Sequence, residues 1–337
     1  MIDFAKLERA AIIAEIGSNH DGKLGQAIEL IKVAAHAGAD AVKFQLFVPE
    51  KFYPAKVKEN GKKIPNPKIK FLKKYQLNID WLPELKAAAD ELGLDFLCTP
   101  FDPESAKTLN ECQVAAFKIA SGDLIYRRLI ETICSFDKPI ILSTGMATLH
   151  EIDEAVGLIQ SLTCAPLILL HCVSLYPAPP DSLSLRGIPF LINRYGLHIG
   201  FSDHSFGMEA SIAAVALCAK MIEKHITLSR KLKGPDHPFA MEPHEFCEFV
   251  KAIRNTEAAL GEYTKKIDRR EFSERYWARR GLYSASNLKR GKLIDESDLV
   301  ELRPKTGISA WDIEKVAGRK LACDKKSFEH IGMEDLI

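Results

Sequence analysis

The sequence predicts an α/β chain folded as a closed (βα)8 barrel of the TIM type, followed by a small C-terminal unit. Three observations predict it. Short runs rich in Ile, Val, Leu and Phe recur roughly every thirty residues, and helix-like stretches separate them. Each run also closes on polar side chains able to do chemistry, which is where a parallel barrel places its active site.

In order, the runs are residues 11–16, 41–46, 94–98, 116–119, 139–143, 167–171, 198–201 and 221–224. Helical patterns intervene, as at 25–37 and 152–159, and eight alternations fit a closed barrel better than an open sheet. Segment 49–78, after the second run, is too long for a simple connection. It reads as a candidate lid whose lysines either help to order phosphates or face solvent. A last helical pattern near 243–260 ends the barrel, which is assigned to residues 1–265. The polar, charged stretch 266–280 reads as a linker. Residues 281–337 show short β-like runs broken by Gly and Pro, a length small for an independent core and suited to packing against a partner.

Composition narrows the class. The 337 residues are 47% hydrophobic, as expected of a packed globular chain. Lys and Arg total 46 against 45 Asp and Glu, so a net charge of +1 gives no global field for nucleic acid or an anionic membrane. An anionic ligand must therefore be held by a local pocket. The eight cysteines form no C-x-x-C pair and no zinc spacing, and they read as reduced core residues of a cytoplasmic protein. Asp3 and Glu8 stand where a signal peptide wants basic charge, and the apolar run that follows is too short for a membrane span.

The strand ends supply the candidate site. Lys43 and Lys118 would share one barrel mouth, where unpaired ammonium groups repel unless an anion lies between them, and phosphate suits that place. Thr99, Ser121, Ser143 and Ser202 could donate to phosphate oxygens, with amides near Gly122 and Gly145, or could instead cap the following helices. His204 and His225 close the seventh and eighth strands, neighbours in a closed barrel, so their imidazoles can converge as metal ligands. Two protein ligands leave positions for water and substrate, which suits catalytic Mn²⁺ or Mg²⁺, with Co²⁺ also open, more than structural zinc. Glu15 on the first strand lies beside the eighth, as a general base or as the partner of a lysine.

These residues sit in the strings IAEIGSNHDG, AGADAVKFQ, CTPFD, FKIASGDL, PIILSTGM, HCVSLYP, FSDHS, IEKHITLSR and GPDHPFAMEP. Together they resemble the N-acetylneuraminate (sialic acid) synthase family, which includes pseudaminic and legionaminic acid synthases, from about residue 12 to the C-terminus. The resemblance implies a TIM barrel joined to an antifreeze-like (SAF) domain in a domain-swapped homodimer. It implies condensation of phosphoenolpyruvate with N-acetylmannosamine or a related N-acetylated hexose, giving a nine-carbon 2-keto acid and phosphate. By motif, Lys43, Thr99, Lys118, Ser121, Ser143 and Ser202 would hold phosphoenolpyruvate, and His204 and His225 the metal. Glu15 would handle a proton or activate water. Asp123, Tyr176 and Asp236 would contact the sugar, and Arg303 in LRPKTG would reach across the dimer to its N-acetyl group. The sequence departs from the family pattern at Asp123, where Glu is frequent, at Ser174, where some relatives have Asn, and at Gly281, where Ser is usual.

Two other readings compete. A metal-free aldolase would use Lys118 or Lys43 as a Schiff-base nucleophile, which leaves the paired histidines without a role. A carbohydrate- or ice-binding scaffold would need no polar strand ends, yet every strand here has them.

Overall fold

The computed structural model describes residues 1–59 and 62–337. The chain divides into two compact units, Met1–Gly261 and Glu262–Ile337. Residues 60 and 61, within the expected lid, lie outside the described residues.

In the first unit, strands β1 (Ala11–Gly17), β2 (Ala41–Leu46), β5 (Asp95–Pro100), β6 (Phe117–Ile119), β7 (Ile140–Ser143), β8 (Leu167–Cys172), β9 (His198–Asp203) and β10 (Met221–His225) close a barrel. All neighbours pair in parallel, and β1 completes the ring by pairing with both β2 and β10. The remaining strands of this unit, β3 (Lys56–Glu59) and β4 (Lys62–Pro65), pair antiparallel inside the expected lid segment.

Side-chain alternation explains why each strand reads as a continuous apolar run. One parity points outward: Ile12, Ala14, Val42, Phe44, Phe96, Phe117, Leu142, Leu169 and Phe201 pack with the surrounding helices. The helix Leu24–Ala37 contributes Ala27, Leu30, Ile31 and Ala34, and Pro243–Leu260 contributes Phe246, Phe249, Val250 and Ile253. The other parity points inward. Ile13, Ala41, Leu97, Ala116, Ile141, Ile168, Leu170 and Met221 make a separate apolar plug, closed below by Phe4 and Leu7. Gly200 is required in that layer, because a Cβ there would stand 2.6 Å from Leu170 Cδ2 and 2.8 Å from Met221 Cβ. Above the plug the same inward positions turn polar.

The second unit has β11 (Gly281–Ser284) paired antiparallel with β12 (Leu299–Leu302) and a core that includes Leu282, Leu288, Ile294, Ile308, Val316, Leu321 and Ile331. The segment read as a linker carries a helix, Phe272–Ala278, and falls within this unit. The cysteines correct an expectation: all are free, but Cys164, Cys218 and Cys323 are exposed rather than core residues. Among the described residues no helix is long and apolar enough to cross a membrane.

Candidate active site

Because side chains two apart on a strand share a face, the inward parity carries each strand's polar end to one place. Glu15 follows Ile13, Lys43 and Gln45 follow Ala41, Thr99 follows Leu97, and Glu223 and His225 follow Met221. With Lys118, Ser143, Ser202 and His204 they line a cavity of about 600 Å³. A larger cleft of about 740 Å³ opens at the opposite, N-terminal end of the strands, lined by residues such as Leu7, Arg9, Gly38 and Gly93. The convergence of titratable groups belongs to the smaller one.

The two lysines are not unpaired, and the alternative that made Glu15 the partner of a lysine holds for Lys43. Lys43 Nζ lies 2.7 Å from Glu15 Oε2 and 3.6 Å from Glu223 Oε2, and donates to Thr99 Oγ1 at 3.2 Å. Lys118 Nζ donates to Ser143 Oγ at 2.6 Å and lies 3.9 Å from Glu223 Oε2. Glu223 is held from its other side by the hydroxyl of Ser202, which donates to Oε1 at 2.9 Å. Gln45 donates to Glu15 Oε1 at 2.6 Å. Two buried cations thus meet two buried anions, the condition under which such charges are tolerated at all.

Burial pushes the Glu15 carboxyl up from its ordinary value, against the pull of Lys43. Burial acts in the same direction on Glu223, but the Lys118 and Lys43 ammonium groups outweigh it and hold that carboxyl down at about 2. Burial lowers Lys118. It also works against the charge on Lys43, where Glu15 and Glu223 more than offset it.

Across the cavity, His204 and His225 stand with ring centroids 5.5 Å apart. His204 Nδ1 lies 3.0 Å from the Val173 carbonyl oxygen, so it donates there and leaves Nε2 with its lone pair. His225 Nδ1 is buried without a hydrogen-bond partner, and Asp236 Oδ2 is 4.0 Å away. Burial lowers the His225 pKa and so disfavours the charged ring. Phe239 and Tyr176 pack beside these rings at 4.9 Å from His225 and 4.3 Å from His204. Two imidazoles, one oriented by a carbonyl and one with an orphaned nitrogen, fit an open divalent-metal site. Among the described residues no three His, Cys, Asp or Glu side chains group as ligands, so the chain offers the pair and leaves the other positions to water and substrate.

The remaining expected residues divide. Ser121 and Tyr176 line the cavity. The Ser121 hydroxyl oxygen accepts from the Gly145 amide at 3.0 Å. None of the four candidate hydroxyls caps a following α-helix: Asp102 and Thr148 cap those after β5 and β7, and those after β6 and β9 have no side-chain cap. Asp123 and Asp236 stand outside the lining. Burial raises the Asp123 carboxyl to about 6, and Asp236 accepts from Ser18 Oγ at 2.8 Å. Arg303 is an exposed residue of the second unit. Gln45 and Glu223, polar strand-end residues without an expected role, lie on the inward face beside Lys43 and His225, and Cys172 joins the lining with no signal in the sequence. Tyr53 and Lys68, two residues of segment 49–78, also reach the lining, Lys68 being one of the lysines expected either to order phosphates or to face solvent.

A TIM barrel with paired lysines, hydroxyl donors and two imidazoles at the C-terminal mouth defines an enzyme built for an anionic substrate. The chain belongs to the NeuB family, whose model matches residues 30–265. It is 37% identical to the N,N'-diacetyllegionaminic acid synthase of Campylobacter jejuni, over 93% of this chain and 96% of that one. It is 34% identical to the synthase of the same name from Legionella pneumophila, over 95% and 94%. Among solved structures it resembles the N-acetylneuraminic acid (sialic acid) synthetase of Leptospira borgpetersenii, determined in complex with citrate. That match has a TM-score of 0.73 at 34% identity and covers 80% of this chain and 90% of that one.

Proposed function

We propose that this chain is a nonulosonic acid synthase that joins carbon three of phosphoenolpyruvate to the aldehyde carbon of an N-acetylated hexose. The products are a nine-carbon 2-keto sugar acid and inorganic phosphate, with one water consumed. The observation that carries the reading is the convergence of Lys43, Lys118 and their hydroxyl partners with two imidazoles in one cavity.

Lys43 and Lys118 bind the carboxylate and phosphate of the donor, with Thr99, Ser121, Ser143 and Ser202 turning their hydroxyls to its oxygens. Holding the nucleophilic carbon against the aldehyde contributes much of the rate. His204 and His225 would hold a divalent metal, which when bound polarises the aldehyde carbonyl. As the donor's double-bond pair makes the new carbon–carbon bond, the aldehyde's π pair moves to its oxygen, which takes up a proton to become a hydroxyl; carbon two is left electron-poor, and water adds there. Glu15, whose carboxyl is raised by burial and fixed by Gln45 and Lys43, takes the proton from that water at Oε2 or Oε1. The carbon–oxygen bond to phosphate then breaks, and its electron pair leaves with phosphate as the ketone forms.

The names of the Campylobacter and Legionella relatives favour a 2,4-diacetamido-6-deoxyhexose over N-acetylmannosamine as the acceptor. In this reading Asp123, Asp236 and Tyr176 contact the sugar, the second unit is an antifreeze-like domain, and the enzyme is a cytoplasmic homodimer. Arg303 then serves the N-acetyl group of a sugar bound in another copy. Phosphate release from phosphoenolpyruvate, measured with both sugars and with ketose controls, tests the proposal. Release with an N-acetylated aldose supports it. Turnover with ketones accompanied by borohydride trapping of Lys43 or Lys118 would replace it with the aldolase reading.

A further inference from the structure

The arm formed by the described parts of segment 49–78, residues 49–59 and 62–78, brings a third cation to the cavity, and the chemistry above leaves it without a role. Lys68 and Tyr53 both line the cavity, and Lys68 Nζ sits 5.2 Å from the centre of the Tyr53 ring. The other two lining lysines, Lys43 and Lys118, face Glu15 and Glu223. Among the described residues no carboxylate lies within ion-pair distance of Lys68.

Its position is built rather than incidental. Asn66, buried, accepts from the Lys68 amide at 3.1 Å and donates to the Pro54 carbonyl at 3.1 Å, tying together the chain that enters β3 and the chain that leaves β4. Phe52 packs on Tyr53 and on Phe101 at ring distances of 4.8 and 5.0 Å, and Lys51 pairs with Asp102 at 3.1 Å. Phe101 and Asp102 follow β5 directly, so the arm is fastened to the barrel rim next to Thr99.

Charge balance says what this cation meets. The quartet of Lys43, Lys118, Glu15 and Glu223 is neutral as a set. A phosphate monoester carries about −1.5 to −2 at neutral pH, and the donor adds a carboxylate, so a strongly anionic ligand enters a cavity with no net charge to receive it. A divalent cation at the imidazoles would still leave roughly one negative charge over. Cation–π contact with Tyr53 keeps the Lys68 ammonium at the mouth without neutralising it. We propose that Lys68 closes over phosphoenolpyruvate as its third ammonium contact, making the arm a donor-binding element rather than a sugar-binding one. The inference rests on the donor assigned above.

Calorimetric binding of phosphoenolpyruvate, run beside steady-state kinetics for both substrates, tests it on wild type, Lys68→Ala, Lys68→Arg and the neighbouring exposed Lys70→Ala. Lys68→Ala is expected to weaken phosphoenolpyruvate binding and raise its KM about tenfold, and to leave the sugar KM within about twofold. Lys68→Arg should keep most of the affinity, Lys70→Ala all of it, and the salt dependence of donor binding should flatten in Lys68→Ala. Unchanged donor affinity in Lys68→Ala, or a rise confined to the sugar KM, would overturn the role. A wild-type enzyme that binds no phosphoenolpyruvate would instead overturn the functional reading and this inference with it, so the two failures are told apart.

Discussion

Glu223 Oε2 stands 3.6 Å from Lys43 Nζ, with both side chains almost wholly buried, and the same oxygen is 3.9 Å from Lys118. Glu223 therefore holds two cations in the position where the donor's anionic groups would lie. Replacing it with Gln keeps the shape and the Ser202 contact but leaves one positive charge uncompensated. Removing one partner of a buried pair costs about 3–5 kcal/mol, and Glu223→Gln should lie near the lower end. Inorganic phosphate should then raise the melting temperature of Glu223→Gln clearly more than that of wild type, because the anion replaces the missing charge. Equal phosphate-induced shifts in differential scanning fluorimetry would show that the quartet does not face the anion site.

His20 gives the molecule an acid-sensitive point. Its ring is wholly buried against Phe44 and Trp81, and burial lowers its pKa from 6.5 to about 4. The unfolded chain binds this proton more readily, so the folded state loses stability as pH falls through 6.5 toward 4, by about 3 kcal/mol in all. Urea unfolding of wild type and His20→Gln at intervals between pH 7 and 4 checks it. The variant should be weaker at neutral pH yet show a flatter decline. Glu223 acts in a lower window: its depressed carboxyl contributes stability above about 4.5 that is lost as pH falls toward 2. Parallel curves for wild type and variant above pH 4.5 would count against the His20 assignment.

Much of this architecture is legible in the residues, and the illegible parts have physical causes. Strands buried on both faces read as apolar runs, so all eight were countable. Their C-terminal ends were less clear. Thr99, Ser202 and His225 are polar yet continue their strands, because the inside of a barrel mouth accepts polar side chains that the outside would not. The β3–β4 pair left no such signal. Lys56, Lys58, Glu59, Lys62 and Lys63 are all exposed, so no buried face stamps a period of two on the segment. The pairing of Lys43 with Glu15 was readable beside a catalytic role, and the structure shows the pair at 2.7 Å.

Gly145 marks a close approach that no side chain can share. A Cβ there would fall against Ser174 Oγ, 2.9 Å from Ser121 Oγ and 3.1 Å from Cys172 Sγ, all of them lining the cavity. Gly145→Ala must displace Ser121, whose oxygen accepts from the Gly145 amide. Overpacking of this kind costs about 1–3 kcal/mol, so the barrel should survive with a melting temperature lowered by a few degrees. The KM for phosphoenolpyruvate should rise at least about tenfold, the cost of one good charge-assisted contact. Unaltered donor kinetics in a folded Gly145→Ala protein would remove Ser121 from the donor pocket.

The histidine pair makes the most direct claim about metal. His204 is oriented by the Val173 carbonyl and His225 keeps an unpartnered nitrogen, so each has a lone pair free for a cation. Mn²⁺ added to chelator-treated wild type should lose its free-ion paramagnetic resonance signal at one equivalent per chain. His225→Ala and His204→Ala should each leave most of it in solution, since two ligands cannot lose one and keep affinity. Circular dichroism on the same samples separates a lost ligand from a lost fold, because His225 is buried between β1 and Phe239. Chelation should stop phosphate release by wild type, and Mn²⁺ or Mg²⁺ should restore it. Full Mn²⁺ binding by a folded variant lacking both imidazoles would move the metal elsewhere. Phosphate release that persists at full rate under chelation would return the chemistry to the lysines alone.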